Sequence, residues 1–410
     1  MKYRWLFISL ILMPLVNILS AGFINAEYNS IQHLIGKNDA ILVKDQAGNI
    51  ILSKNADNKL IPASTLKVLT ALTAFHYMGD NYRFKTEFFL DKESNLIIKG
   101  YGDPLLISEV ISKACDEIKP ILFSRTKSIN HIIIDQSYFE PTRIPGTTYG
   151  SFEPYNAPIG AVSANFNTVN FFRDKDGMLC SAEEQTPIFQ FLFNQIKQSG
   201  LNQGRIILKA SEQDLYAGSL FKFFLERKGI SVNGRIISDN NNHNNKQLIY
   251  RLESPFTMQD VVKKLLEFSN NYIANQLIVS IGAIAYGAPG NLDKGVMAIK
   301  KFTENQIGIT DYTLVEGSGL SRENRISAED MSELLSKFIN YRFLMRSKNN
   351  LYFKTGTLTG ISTRVGFLSR QNNEIYSYVI FCNTPGKSAG KIEQMLNSIL
   401  PAKRQISSLN

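Results

Sequence analysis

"PASTLKVLTALTAF", residues 62–75, sets a serine and a lysine three positions apart at the head of an apolar run. From Ala63 to about Met78 the residues Leu66, Val68, Leu69, Ala71, Leu72, Ala74, Phe75 and Met78 are apolar on nearly every side, the pattern of a helix buried within a domain. Pro62 suits a helix start, where its missing N–H costs nothing. Ser64 and Lys67, at i and i+3, then share one face of the opening turn. Burial disfavours the charged form of a lysine, and a neutral amine beside a hydroxyl is a general base beside a nucleophile. Unpaired backbone N–H groups at the helix start can also stabilise an oxyanion. The alternative is a serine that merely caps the helix and a lysine that snorkels from its end. Spacing does not choose, because Ser-x-x-Lys occurs four times, at Ser64/Lys67, Ser124/Lys127, Ser219/Lys222 and Ser388/Lys391.

Other motifs do choose. "KTGT", Lys354–Thr357, occurs once, in a strand-like context. It supplies a cation, two hydroxyls and, at Gly356, a glycine that lets a ligand approach the backbone. Such a strand edge can pair with an extended peptide while Lys354 and the threonines receive a carboxylate. "SNN" at 269–271 supplies a Ser-x-Asn between the other two motifs, 205 residues after Ser64 and 85 before Lys354. Ser-x-x-Lys, Ser-x-Asn and Lys-Thr-Gly in that order are the trio of class A β-lactamases and penicillin-binding proteins.

Composition sets the compartment and the partners. Residues 1–26 place Lys2 and Arg4 before the apolar run "WLFISLILMPLVNIL" and small residues at Ser20, Ala21 and Ala26, the layout of a signal peptide cleaved after Ala21 or Ala26. An uncleaved anchor is the alternative, but the run is short of the ~20 residues needed to span a bilayer. Formal charge is +9, or +7 without Lys2 and Arg4, and forms no arginine-rich tract, so nucleic acid is not expected and contact with anionic wall or membrane surfaces is. Three widely spaced cysteines, Cys115, Cys180 and Cys382, allow at most one internal disulfide and no metal spacing. The four histidines are scattered. No metal or cofactor is expected.

Periodicity gives a hairpin over 40–55, two strands in 84–99, a helix at 106–118, a strand in 131–139, a Pro/Gly-rich irregular stretch over 140–160 and a helix at 214–230. Helices follow near 256–285, 291–305 and 327–340, then a strand-rich run and a last helix, "AGKIEQMLNSIL". The ends bracket a middle of different character, which reads as an insertion.

Together with the trio, "GYGDP" at 100–104, "IIIDQSYF" at 132–139, "PYNAPIGAVSANFNTV" at 154–169 and "EGSGLSRENRIS" at 316–327 make the chain resemble the D-alanyl-D-alanine carboxypeptidase/endopeptidase family of low-molecular-mass class C penicillin-binding proteins, peptidase family S13. The resemblance implies an α+β serine β-lactamase/D,D-peptidase (transpeptidase-like) fold, an antiparallel sheet covered by helices, with an inserted β/α region. The catalytic domain would comprise 27–83 and 255–410, and the insertion 84–254. By the same resemblance Ser64 is the acylated nucleophile, Lys67 its base, Ser269 a proton relay and Asn271 the holder of the substrate's peptide bond. Lys354, Thr355, Gly356 and Thr357 bind the terminal carboxylate region, the backbone N–H groups of Ser64 and Thr357 form the oxyanion hole, and Asp135 reads the substrate side chain. Relatives commonly carry Asp and Glu where Asn270 and Asn275 stand, and Asp where Glu316 stands. The implied activity is periplasmic cleavage of D-Ala-D-Ala bonds in peptidoglycan stem peptides, with β-lactams as covalent inhibitors. A β-lactamase and a non-catalytic wall-binding or β-lactam-sensing module are the alternatives.

Overall fold

The computed structural model describes residues 29–400 apart from 127, 149, 241–245 and 371–373. The signal reading over 1–26 lies outside the described residues. No helix among them is long and apolar enough to cross a membrane. The chain divides into two compact units, one of residues up to Thr65 with Asp311–Thr313 and Asn324–Asn410, the other of Leu66–Thr310 with Leu314–Glu323.

The first unit is built on a six-stranded sheet in the order Arg346–Lys348, Leu351–Leu358, Ile361–Ser369, Ile375–Cys382, Asp39–Lys44, Ile50–Lys54. Every neighbouring pair is antiparallel. The first and last segments of the chain thus share one sheet, through pairs such as Ile41 with Ile380 and Val43 with Tyr378. Successive strand residues face opposite sides. Ile41, Val43, Ile380 and Cys382 cluster with Ile392 and Leu396 of the helix Ala389–Ile399. The intervening Ala40, Leu42, Val379 and Phe381 are buried too, and the helix Ala328–Phe338 packs on the same strands, so both faces are covered.

The second unit combines helices with a five-stranded mixed sheet in the order Ile236–Ser238, Ile132–Asp135, Leu96–Gly100, Lys85–Leu90, Gln247–Glu253. The first three strands run parallel and the last two pairings are antiparallel. The helices Ser108–Arg125 and Gln213–Arg227 pack together and bury Ile111, Cys115, Ile118, Leu220 and Phe221 with Phe88, Ile98 and Ile134 of the sheet. Four further helices, Lys67–Met78, Met258–Glu267, Asn271–Tyr286 and Leu292–Gln306, pack on one another.

Two expected helices are different in detail. The run expected as one helix over 256–285 is two, broken at 268–270, where Ser269 has φ 54°. Left-handed backbone ends a right-handed helix, and Asn270 restarts one by accepting the N–H of Ile273 on its side-chain oxygen (3.1 Å). The helix expected from Ala63 begins instead as a 3-10 turn, Ala63–Leu66, and becomes α-helical at Lys67. Its irregular entry is marked by Ala63 at φ 48°. All three cysteines carry free thiols.

Candidate active site

In the first unit the turn that carries Ser64 is fixed from two directions. The hydroxyls of Thr65 and Thr363 both donate to the carbonyl of Pro62, each at 2.7 Å. Thr363 is paired with Gly356, so this carbonyl ties the serine turn to the KTGT strand, Leu351–Leu358. A Cβ at Gly356 would lie 2.3 Å from the Thr363 hydroxyl and 2.9 Å from both Ala63 Cβ and the Pro62 carbonyl. Glycine is therefore the residue that lets strand and turn approach this closely. Lys354–Leu358 pair with Ile361–Val365 on one side, while the strand on the other side, Arg346–Lys348, reaches only to Phe353. Within the sheet, the KTGT segment is thus an edge. Lys354 is 1% exposed, and its ammonium donates to the carbonyl of Thr355 at 2.7 Å.

Across the unit boundary the backbone simply continues, and three residues after Ser64 comes Lys67. Its side chain is fully buried. Its Nζ donates to Asn271 Oδ1 at 2.7 Å and to the carbonyl of Ser318 at 2.6 Å. Burial pushes the Lys67 pKa down to about 7, with the charge of Glu316 pulling it partly back up. A neutral amine has two N–H groups, enough for these two acceptors, and keeps a lone pair for a proton. Glu316 is itself wholly buried and accepts from Ser318 N (2.6 Å), Ser318 Oγ (2.5 Å) and Ser321 N (3.2 Å). Those bonds hold the loop whose Ser318 carbonyl meets the lysine. A second tie is the Thr70 hydroxyl, which donates to the Gly317 carbonyl at 2.6 Å.

Asn271 reaches Lys67 because it is the first residue of the helix Asn271–Tyr286, directly after the cap Asn270. An Asp at position 270 would cap equally well, so Asn270 keeps the structural duty without the charge. Asn275, one turn further on, is 3% exposed and its Oδ1 has no hydrogen-bond partner among the described residues. Ser269 occupies the strained break just before the cap.

The second unit thus brings Lys67 and Asn271 together, and the first brings the Ser64 turn against the KTGT strand. Asp135 has partners of its own. It ends the strand Ile132–Asp135, is 1% exposed, lies 3.7 Å from Lys99 Nζ and from Lys246 Nζ, and accepts the N–H of Ser137 at 2.9 Å. Its carboxylate is held in place by these partners. Sequence reasoning gave no chemistry to the Ser318 carbonyl or to Glu316. The signal was present in "EGSGLS", since a carboxylate followed by small residues and glycines can fold back on its own backbone, but nothing local announces the distant lysine.

Known proteins match most of the chain. The profile of the D-Ala-D-Ala carboxypeptidase 3 (S13) family matches residues 24–344. The D-alanyl-D-alanine carboxypeptidase DacB of Haemophilus influenzae is 24% identical over 87% of this chain and 87% of its own. The D-alanyl-D-alanine carboxypeptidase of Actinomadura sp. strain R39 is 21% identical over 83% and 77%. In fold, the chain superposes on the crystal structure of penicillin-binding protein 4 from Haemophilus influenzae with a TM-score of 0.73 at 20% identity, covering 91% of this chain and 98% of that one. The same protein has also been solved in complex with a β-lactam (TM-score 0.68, 20% identity, with the same coverage). The expected α+β transpeptidase-like architecture is therefore present. A match this long, carrying the serine turn, the buried lysine and the Ser-x-Asn helix together, makes the chain a member of the S13 family of D-Ala-D-Ala carboxypeptidases.

Proposed function

We propose that this chain is an exported D,D-peptidase that works through an acyl-enzyme on Ser64, cleaving the D-Ala-D-Ala bond of peptidoglycan stem peptides and D-amino-acid cross-links. The observation that carries the reading is the state of Lys67: buried, held by Asn271 and Ser318, with a pKa of about 7. That is the amine a serine three residues away needs as its base near neutral pH.

In this reading Lys67 takes the Ser64 proton as Oγ attacks the carbonyl of the penultimate D-alanine. The negative charge on that oxygen is met by the N–H groups of Ser64 and Thr357. Ser269 passes a proton to the departing amine, D-alanine or the donor strand leaves, and an ester remains on Ser64. Water then hydrolyses the ester, returning the hydroxyl and releasing the shortened peptide. Asn271 holds the peptide bond on the acyl side, while Lys354, Thr355, Gly356 and Thr357 receive the terminal carboxylate along the open strand edge. The leader-like residues 1–26 support work in the periplasm, and the excess of cations suits an anionic wall. The edge and the buried base serve a carboxypeptidase and an endopeptidase alike.

β-Lactams contain a strained amide in place of the scissile bond, so they report on the same serine. Mass spectrometry after incubation with penicillin is expected to find the intact drug mass on the peptide containing Ser64 and none with Ser64→Ala. An adduct on another residue, or no adduct with the unaltered protein, overturns the assignment.

A further inference from the structure

In the first unit, three successive residues ahead of the serine turn are each pinned to a different partner. Leu60 exchanges backbone hydrogen bonds with Ile326, at 3.0 and 3.1 Å. Ile61 gives its N–H to Asn383 Oδ1 (2.8 Å), and its carbonyl accepts from Asn383 Nδ2 (3.1 Å). One side-chain amide thus does for Ile61 what a neighbouring strand would. Pro62 has only a carbonyl to offer, and on it the hydroxyls of Thr65 and Thr363 converge.

Asn383 is itself fixed from behind. It follows directly on the strand Ile375–Cys382, and its N–H and that of Thr384 both donate to Asp39 Oδ1 at 3.0 Å. The other oxygen of this buried carboxylate accepts from Gly36 N (2.9 Å) and Lys387 Nζ (2.6 Å). Burial works against the charge of Asp39, but the Lys387 ammonium and the backbone donors outweigh it and hold the pKa below the usual carboxylate value. The amide that grips Ile61 therefore stands on an ionised, fully engaged base.

These ties bear on one strained residue. Ala63, buried and at φ 48°, joins two peptide units: the one before it carries the Pro62 carbonyl, and the one after it carries the Ser64 N–H. With the first unit fixed, the backbone of Ala63 decides where the Ser64 N–H points. Left-handed backbone is costly for alanine and persists only where the surroundings over-determine it. The Thr65 hydroxyl belongs to the turn and moves with it. Thr363 is different, because its buried hydroxyl comes from the sheet, directly opposite Gly356 and so one residue before Thr357 on the neighbouring strand.

We propose that Thr363 and Asn383 are positioning residues for the oxyanion hole: by anchoring the Pro62 carbonyl and the Ile61 backbone to the sheet, they hold the Ser64 N–H in alignment with the N–H of Thr357. The inference rests on the acyl-enzyme reading and adds two residues that touch no substrate.

A boronic acid carrying an acetamidomethyl group tests it. Ser64 Oγ adds to the trigonal boron, an O–B bond forms, the hydroxyl proton passes to Lys67, and the tetrahedral anion puts one oxygen where the oxyanion would sit. Its affinity is compared with kcat and KM for D-alanine release from diacetyl-L-lysyl-D-alanyl-D-alanine, and with the affinity of that peptide in a Ser64→Ala background. Thr363→Val, which removes the hydroxyl at nearly constant shape, is expected to lower boronate affinity and kcat together by about 10- to 100-fold, somewhat less than the loss of a whole oxyanion donor. KM, peptide affinity in the Ser64→Ala background and the pH midpoint of acylation stay where they are. Thr363→Ser restores the boronate affinity, and Asn383→Ala repeats the pattern of Thr363→Val. A lower melting temperature with boronate affinity and kcat unchanged, or an equal loss of boronate and peptide affinity, overturns the positioning role. Boronate that binds Thr363→Val and the unaltered protein equally removes that role alone, whereas an unaltered protein that forms no adduct on Ser64 removes the acyl-enzyme reading and the role with it.

Discussion

Two Ser-x-x-Lys pairs at opposite ends of the chain have the same spacing and opposite fates. Ser388 is the N-cap of the helix Ala389–Ile399, its hydroxyl accepting the N–H of Lys391 at 3.4 Å, and the Lys391 side chain is exposed. Lys67 is buried, and the groups that hold it, Asn271 Oδ1 and Ser318 O, come from more than two hundred residues away. Another pair, Ser219/Lys222, sits inside the helix Gln213–Arg227 with Lys222 spent on Glu226 at 3.7 Å. Three-residue spacing brings two side chains onto one helix face. It takes desolvation and remote acceptors to turn a lysine into a base.

The contrast breaks most sharply at the lysines. Lys67→Met is expected to slow penicillin acylation of Ser64 by about 10²–10⁴-fold, the usual worth of a positioned base, whereas Lys391→Met leaves the rate unchanged in the same stopped-flow assay. Equal rates for Lys67→Met and the unaltered protein would remove Lys67 from the chemistry.

A finer test concerns the charge that acts on Lys67. Since the amine works when neutral, acylation is expected to rise with pH through a midpoint near 7. The negative charge of Glu316 favours the protonated form and so raises that midpoint. Glu316→Gln, which removes the charge at nearly constant shape, is expected to move the midpoint to lower pH. An unchanged or higher midpoint would assign the electrostatic control to some other group. The outcome also bears on the carboxylates that relatives carry where Asn270 and Asn275 stand, because the Glu316 charge acts beside burial in setting this lysine.

What the sequence discloses follows from the range of the forces involved. The hairpin at Asp39–Lys44 and Ile50–Lys54, the strands after Leu351 and the last helix are readable because alternation, turn residues and helical period are local. Motif order then picks Ser64/Lys67 out of four equal spacings. The break at Ser269 is not readable, because Leu265, Leu266, Tyr272 and Ile273 are buried on both sides of it and keep the apolar pattern running through the left-handed residue. Nor is the embedding of Asp135 between Lys99 and Lys246, two lysines that only sheet and loop geometry bring to it. The acceptor from Ser318 is a backbone carbonyl, for which any residue type would serve.

The smallest expected effect completes the contrast from the other end. Ser388→Ala removes a cap whose bond is long, so its cost belongs at the low end of the 0.5–2 kcal/mol range for such losses, about 0.5 kcal/mol. The helix start keeps a second tie, Ala389 N donating to Ser362 Oγ at 3.1 Å, and Ile392, Leu396 and Ile399 keep their places in the core. For a chain of this size that is a fall in melting temperature of less than about 1 °C, with the rate and pH profile of acylation unmoved. The two measurements separate the roles. A serine that only caps changes stability and leaves chemistry alone, so a shift in the acylation profile of Ser388→Ala would show that this pair too reaches the reacting groups.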